Sequence, residues 1–194
     1  MARALGMIEV EGVAGIIVAA DAACKAASVD LDGWESIGGF TTVFFRGAVG
    51  DIESALRAGT SAAADVTGHV ESHSLLQPES ACDNFISARA DTAGDSIAEA
   101  DDLGLVETRG YGVHIENNDR MIKEASVDLI NVLTVHNRVV CSLVTGELGA
   151  VERAIDRTRD ALASSEWFMG TAVLSQPQLS TLQAFGQTPK MGGN

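Results

Sequence analysis

Aromatic residues are scarce in this 194-residue chain: six Phe, two Trp and one Tyr, 5% of the sequence. Its core must therefore be built from Ala, Val, Ile and Leu, within an apolar content of 46%. Cysteine is scarcer still. Cys24, Cys82 and Cys141 lie far apart with no CxxC pair, so neither a disulfide framework nor a zinc site is expected, and the thiols read as buried and reduced. Positive charge is also short. Thirteen Lys and Arg against 27 Asp and Glu leave a formal charge of −14. That excludes nucleic acid and anionic membrane as expected partners, because both are bound through Lys and Arg. No apolar run reaches the length of a membrane-spanning helix. The opening MARALGMIEVEG carries acidic residues too early for a secretory signal, so none is expected. Catalytic signatures are missing as well. There is no HExxH, no P-loop and no Ser/His/Asp set in motif context, and His69, His73, His114 and His136 lack metal-pair spacing. No enzyme activity, metal or cofactor is expected.

What the chain does have is a repeat. KAASVDL at 25–31 returns as KEASVDL at 123–129. At a constant offset of 98, Leu5, Gly6, Glu9, Gly12, Ile17 and Asp21 match Leu103, Gly104, Glu107, Gly110, Ile115 and Asp119. Past the heptad the offset becomes 99, and Gly47, Gly50, Glu53, Ala55, Leu75, Gln77 and Pro78 match Gly146, Gly149, Glu152, Ala154, Leu174, Gln176 and Pro177. Collinear matches with a single slip mean an internal duplication. The reading is two similar domains, each with its own core: residues 1–82 and 103–185, joined by an acidic linker at 83–102, with a flexible tail at 186–194.

Periodicity gives each half the same order. In the first, Leu5–Val10 reads as a strand, Val13–Ala27 as a helix and Val29–Trp34 as a strand. ESIGGF at 35–40 reads as a turn and Thr41–Phe45 as a strand. A helix from near Asp51 to Asp65 and a strand over Val70–Leu76 complete the half. In the second half the strands are Leu103–Thr108, Val127–Val135, Arg138–Val144 and Thr171–Ser175, with helices over Val113–Ala125 and Leu148–Leu162. The β-α-β-β-α-β order predicts an α+β fold of two tandem ferredoxin-like domains, each a four-stranded antiparallel sheet with two helices on one face.

The order alone fixes no function; the residues say more. LGMIEVEG, D-x-x-x-K-A-A-x-V-D-L, an apolar strand ending R-G and AVGDIESAL follow one another in the first half. LGLVETRG, D-x-x-x-K-E-A-S-V-D-L and GELGAVERAI follow in the second. This series resembles the bacterial microcompartment (BMC) shell domain, twice. The resemblance implies a homotrimer forming a flat pseudohexameric tile with a central pore. Tiles would join other shell proteins edge to edge around encapsulated enzymes, in the cytoplasm. The pore would pass small polar or anionic metabolites.

The resemblance also implies roles by position. Lys25 and Lys123 match the family's tile-edge lysine; pairing with Asp21 and Asp119 along the helix is the plainer role, and both can hold. The family's edge arginine is replaced by Gln77 and Gln176, which keep hydrogen bonding but no charge. The pore-lining turns would be Glu35, Ser36, Ile37, Gly38, Gly39 and Phe40 in one half, and Thr134, Val135, His136, Asn137 and Arg138 in the other. Arg138 pointing inward would favour anions; paired with Glu35 it would leave the pore neutral. Neither turn holds a Cys, so no axial iron–sulfur cluster is expected. The competing readings are a trimeric effector-binding regulator or enzyme with its site between the domains, and a scaffold that binds shell proteins without tiling.

Overall fold

A computed structural model describes residues 3–78 and 101–186. Cys82, the linker reading of 83–102 up to residue 100 and the tail from 187 onward lie outside them, and Asp102 at the end of that linker already begins the fifth strand.

The first half runs β1 (Ala4–Glu11), α1 (Ala14–Ala26), β2 (Val29–Ile37), β3 (Phe40–Gly47), α2 (Val49–Ala64) and β4 (Val70–Leu75). The second runs β5 (Asp102–Arg109), α3 (Tyr111–Glu124), β6 (Asp128–Val135), β7 (Val139–Gly146), α4 (Leu148–Leu162), β8 (Phe168–Leu174) and α5 (Leu179–Phe185). The two sheets are antiparallel, ordered β2-β3-β1-β4 and β6-β7-β5-β8. Even the irregularities repeat: the β2–β3 ladder shifts register between Leu31 and Gly33, and the β6–β7 ladder between Leu129 and Asn131. No described helix is long and apolar enough to cross a membrane.

The hairpins are tighter than the sequence suggests. Glu35, Ser36 and Ile37 are strand residues, and Phe40 already begins β3. Only Gly38 and Gly39 turn, both at positive φ (61° and 94°), the conformation a two-residue hairpin demands. In the second half Asn137 and Arg138 take positive φ (65° and 64°), so β7 starts at Val139 instead of Arg138. Helix α5 was not anticipated, because its seven residues are too few to show a helical period.

The idea of two separate cores also needs correction. One apolar cluster joins Ile8, Val10, Ile16, Ile17 and Phe45 of the first half to Leu103, Leu105, Leu143, Leu182 and Phe185 of the second. A smaller cluster, including Val106, Met121, Val151 and Ile155, belongs to the second half alone. The cause is α1. Its sequence AGIIVAADAACKA is apolar around most of its circumference, and such a helix must be covered on all sides. Its own sheet and α2 cover part of it. The outer face of the second sheet and α5 cover the rest, so Val13 and Ile17 are fully buried.

Gly59 sets the α1–α2 approach. A Cβ there would lie 2.5 Å from Ile8 Cδ1 and 2.8 Å from the Ala19 carbonyl oxygen. We expect Gly59→Ala to push the helices apart and cost about 1–3 kcal/mol in denaturant unfolding; an unchanged midpoint would refute the close contact.

Candidate functional site

Both hairpins lean on a β-to-helix junction. The Gly12 amide donates to the Gly39 carbonyl (2.8 Å), and the Gly110 amide to the Arg138 carbonyl (2.7 Å). The two hairpins also meet each other: a Cβ on Gly39 would lie 3.2 Å from the Asn137 Cβ. Ile37 and Phe40 are exposed at the tip of the first hairpin, and His136, Asn137 and Arg138 at the second. The Arg138 guanidinium lies over the Trp167 ring, 5.0 Å from its centroid, a cation–π contact within its own half.

Behind the hairpins the halves are joined by charge. Helix α1 has no side-chain cap of its own. Glu107, only 3% exposed, reaches across from β5 and accepts from the Val13 (2.5 Å) and Ala14 (3.3 Å) amides. A carboxylate suits this place, because the first amides of a helix lack partners and carry partial positive charge. Gly12 is needed for it: φ is 90°, and a Cβ would fall 2.5 Å from Glu107 Oε2. Burial pushes the Glu107 carboxyl up from the ordinary 4.5 to about 7, against the two backbone amides; Glu11 adds to the rise and Arg109 opposes it. Arg109 pairs with Glu11 at 2.6 Å.

At the other end of α1, buried Asp21 accepts from the Gln178 amide (2.6 Å) and from Lys25 (2.7 Å). Lys25 also donates to the Ser175 carbonyl (2.8 Å). Between these ends, Phe185 of α5 stacks on Trp34 at 5.5 Å, and the Trp34 indole donates to the Ala184 carbonyl (3.1 Å). Among the described residues Lys123 pairs with Asp119 (2.7 Å), on an exposed surface. Gln176, at φ 47°, donates its amide to Asp102 (2.9 Å), and Gln77 is exposed.

Among the described residues nothing covers the same surface on the second half. Tyr111 and Ile115, the counterparts of fully buried Val13 and Ile17, are 58% and 61% exposed. They line a groove of about 380 Å³ with His114, Asn118, Asp119, Leu129 and Val132. Beneath it lies a polar cluster that the first half replaces with Val10, Ile16, Ala20 and Val43. His114 binds Thr108 (2.9 Å) and Ser142 (2.6 Å), and Asn118 donates to Ser142 (2.7 Å). The His114–Ser142 pair is sealed, at 1% and 0% exposure, and burial pushes the imidazole down to about 4. A weak base that meets no solvent serves packing, not nucleophilic activation.

Cys24 is half-buried and Cys141 buried; burial raises both thiols, Cys141 well above its ordinary value. Among the described residues no three His, Cys, Asp or Glu side chains gather as a metal site. Sequence reading missed Glu107, the Glu11–Arg109 pair and the α3 groove. Glu9/Glu107 and Gly12/Gly110 were visible as repeated identities, but their use across a seam was not.

The BMC domain family model matches residues 4–78 and again 102–177. The chain belongs to the BMC domain family. It carries two BMC domains in tandem, each with the sheet and helices described above. The "Carboxysome assembly protein CcmO" of Synechococcus elongatus is 29% identical over 161 residues, which cover 80% of this chain and 58% of that protein. The chain thus spans little more than half the length of this relative. The "Carboxysome shell protein CsoS1" of Prochlorococcus marinus is 46% identical over 80 residues, 40% of this chain and 78% of that protein. A microcompartment protein structure from Desulfitobacterium hafniense aligns at 24% identity and a TM-score of 0.40, covering 92% of this chain and 97% of that one.

The Glu107 carboxyl sets a pH dependence between the two BMC domains. With its folded value raised, the folded chain holds a proton that the unfolded chain releases, so stability falls as pH rises from about 4.5 to about 7 and is then level. Glu107→Gln keeps an acceptor for the Val13 amide and removes the titration. Its thermal midpoint should fall less than the native one across that window; equal slopes would contradict the assignment.

Proposed function

We propose that three chains close into a ring of six BMC domains, a pseudohexameric tile with an axial opening, which serves as a structural wall element of a bacterial microcompartment shell in the cytoplasm and not as an enzyme. One observation carries this reading: the seam between the halves is heterologous. The first half offers α1 and β2, and the second offers the outer face of β5 together with α5. Each half therefore has one surface used and one left open. Open on the second half is the α3 groove; open on the first is the outer face of β1, with Met7 half-buried and Glu9 exposed. A head-to-tail contact repeated between alike units closes into a ring or runs on as a filament.

Same-position contacts support the ring. Glu11 meets Arg109 at the equivalent position, and Gly39 meets Asn137, the residue beside its counterpart Arg138. A sixfold rotation separates equivalent points by a distance equal to their radius, so equivalent residues touch only beside the axis. In the proposed ring both hairpins stand at the opening, with Glu35, Ser36, Ile37, Gly38 and Gly39 alternating with Val135, His136, Asn137 and Arg138 around a passage for small polar or anionic metabolites. Helix α1 starts at this centre and carries Lys25 about 17 Å along its axis, toward the rim. Lys25 and Lys123, with Gln77 and Gln176, then serve contacts to neighbouring shell proteins. The relatives named for carboxysome shell and assembly agree with a wall role, and encapsulated enzymes would lie behind it. The units are taken as 1–82 and 103–185.

Native mass spectrometry should find three chains per particle, and Ile115→Asp, on a surface exposed in the single chain, should return it to folded monomers. Electron microscopy should show sheets that Lys25→Ala with Lys123→Ala weakens while the three-chain particle persists. A native chain that stays monomeric at high concentration would contradict the ring, and unchanged sheets the edge.

A further inference from the structure

Glu11 and Arg109 occupy one position of the repeat, between the matched pairs Glu9/Glu107 and Gly12/Gly110. The two halves keep Glu9/Glu107 and Gly12/Gly110 around it and carry opposite charges there. Their side chains meet at 2.6 Å across the seam, with the His69 imidazole 4.0 Å from the other Glu11 oxygen. The Glu11 side chain is 27% exposed and that of Arg109 35%, so neither is sealed by its own chain.

We infer that Glu11 and Arg109 form a closed belt of six alternating charges around the axial opening, and that this belt, not Arg138, sets which ions pass. The inference rests on the ring proposed above. Equivalent residues that touch lie beside the axis, and Gly12, next to Glu11, is tied to the hairpin through the Gly39 carbonyl. In a ring of three chains each Arg109 has Glu11 of its own chain on one side and a neighbouring chain's Glu11 on the other. Three positive and three negative groups then cancel, and the fork of each guanidinium has donors for both carboxylates. Arg138 is engaged elsewhere, over the Trp167 ring. In a narrow passage, fixed charge selects ions when unbalanced and selects little when balanced.

The duplication thus explains a feature that six identical domains could not have. One residue repeated six times gives a belt of one sign. Two different halves allow alternation, which fastens every seam and neutralises the opening at once.

Reversal potentials of the full chain in planar bilayers under a KCl gradient test this, with each variant checked for the three-chain mass. Glu11→Gln leaves three unpaired guanidiniums and should raise the anion-to-cation permeability ratio on the order of threefold. Arg109→Gln should lower it by a similar factor. Arg138→Gln should leave it near native. The exchanged variant Glu11→Arg with Arg109→Glu restores alternation and should return both the three-chain particle and the native ratio. Three-chain particles with native ratios in both single variants would overturn the belt while leaving the ring intact. So would an Arg138→Gln shift larger than either, or an exchanged variant that fails to assemble. A native chain without a three-chain particle would overturn ring and belt together.

Discussion

Helix α1 cannot stand on one covered face, and the architecture follows from that constraint. Its residues are small and apolar nearly all round, and it supplies no cap for its own first turn. The second half answers both needs. Leu103 and Leu105 from the outer face of β5 and Phe185 from α5 join its apolar cluster, and the buried Glu107 carboxylate takes the leading amides. The two amide hydrogen bonds offset only part of the hydration lost there, and the carboxyl is pushed up to about 7.

The two halves have diverged in a way that matches their different fates. Helix α3 sits in the same place as α1, yet it carries Glu116, Asn117, Asn118 and Arg120 where α1 has Val18, Ala19, Ala20 and Ala22. Its packing on the sheet runs through His114, Thr108, Ser142 and Asn118 in place of methyl groups. The seam inside the chain combines a shared apolar cluster with the Glu107, Asp21 and Glu11–Arg109 contacts, whereas the open groove leaves the apolar side chains of Tyr111 and Ile115 on the surface of the single chain. The proposed tile is built from one kind of seam in two chemical versions, one made as the chain folds and one made when chains meet.

Much of this was legible. The duplication, the element order and the sheets came from spacing and collinear identity, because strand and helix periods are local properties, and the family came from the resemblance of LGMIEVEG and AVGDIESAL to a known shell domain. The hairpin ends were read too broadly: positive φ at Gly38 and Gly39 is plain from glycine, whereas at Asn137 and Arg138 it depends on how the strands pair. Helix α5 and the shared core were invisible, since seven residues show no period and a contact between Phe185 and Trp34 has no local trace. Glu107 stood in the list of repeated residues, but nothing near it in sequence says that its partner is a helix ninety residues away.

The central claim is that the surface pairing seen once inside the chain recurs between chains. Hydrogen–deuterium exchange on the assembled particle reads this directly. The leading turn of α3, Tyr111 to Ile115, should become as slow to exchange as Val13 to Ile17, and should speed up again on dilution to single chains while α1 stays protected. Exchange at 111–115 that remains fast in the assembled particle would mean that the open groove is not where chains meet.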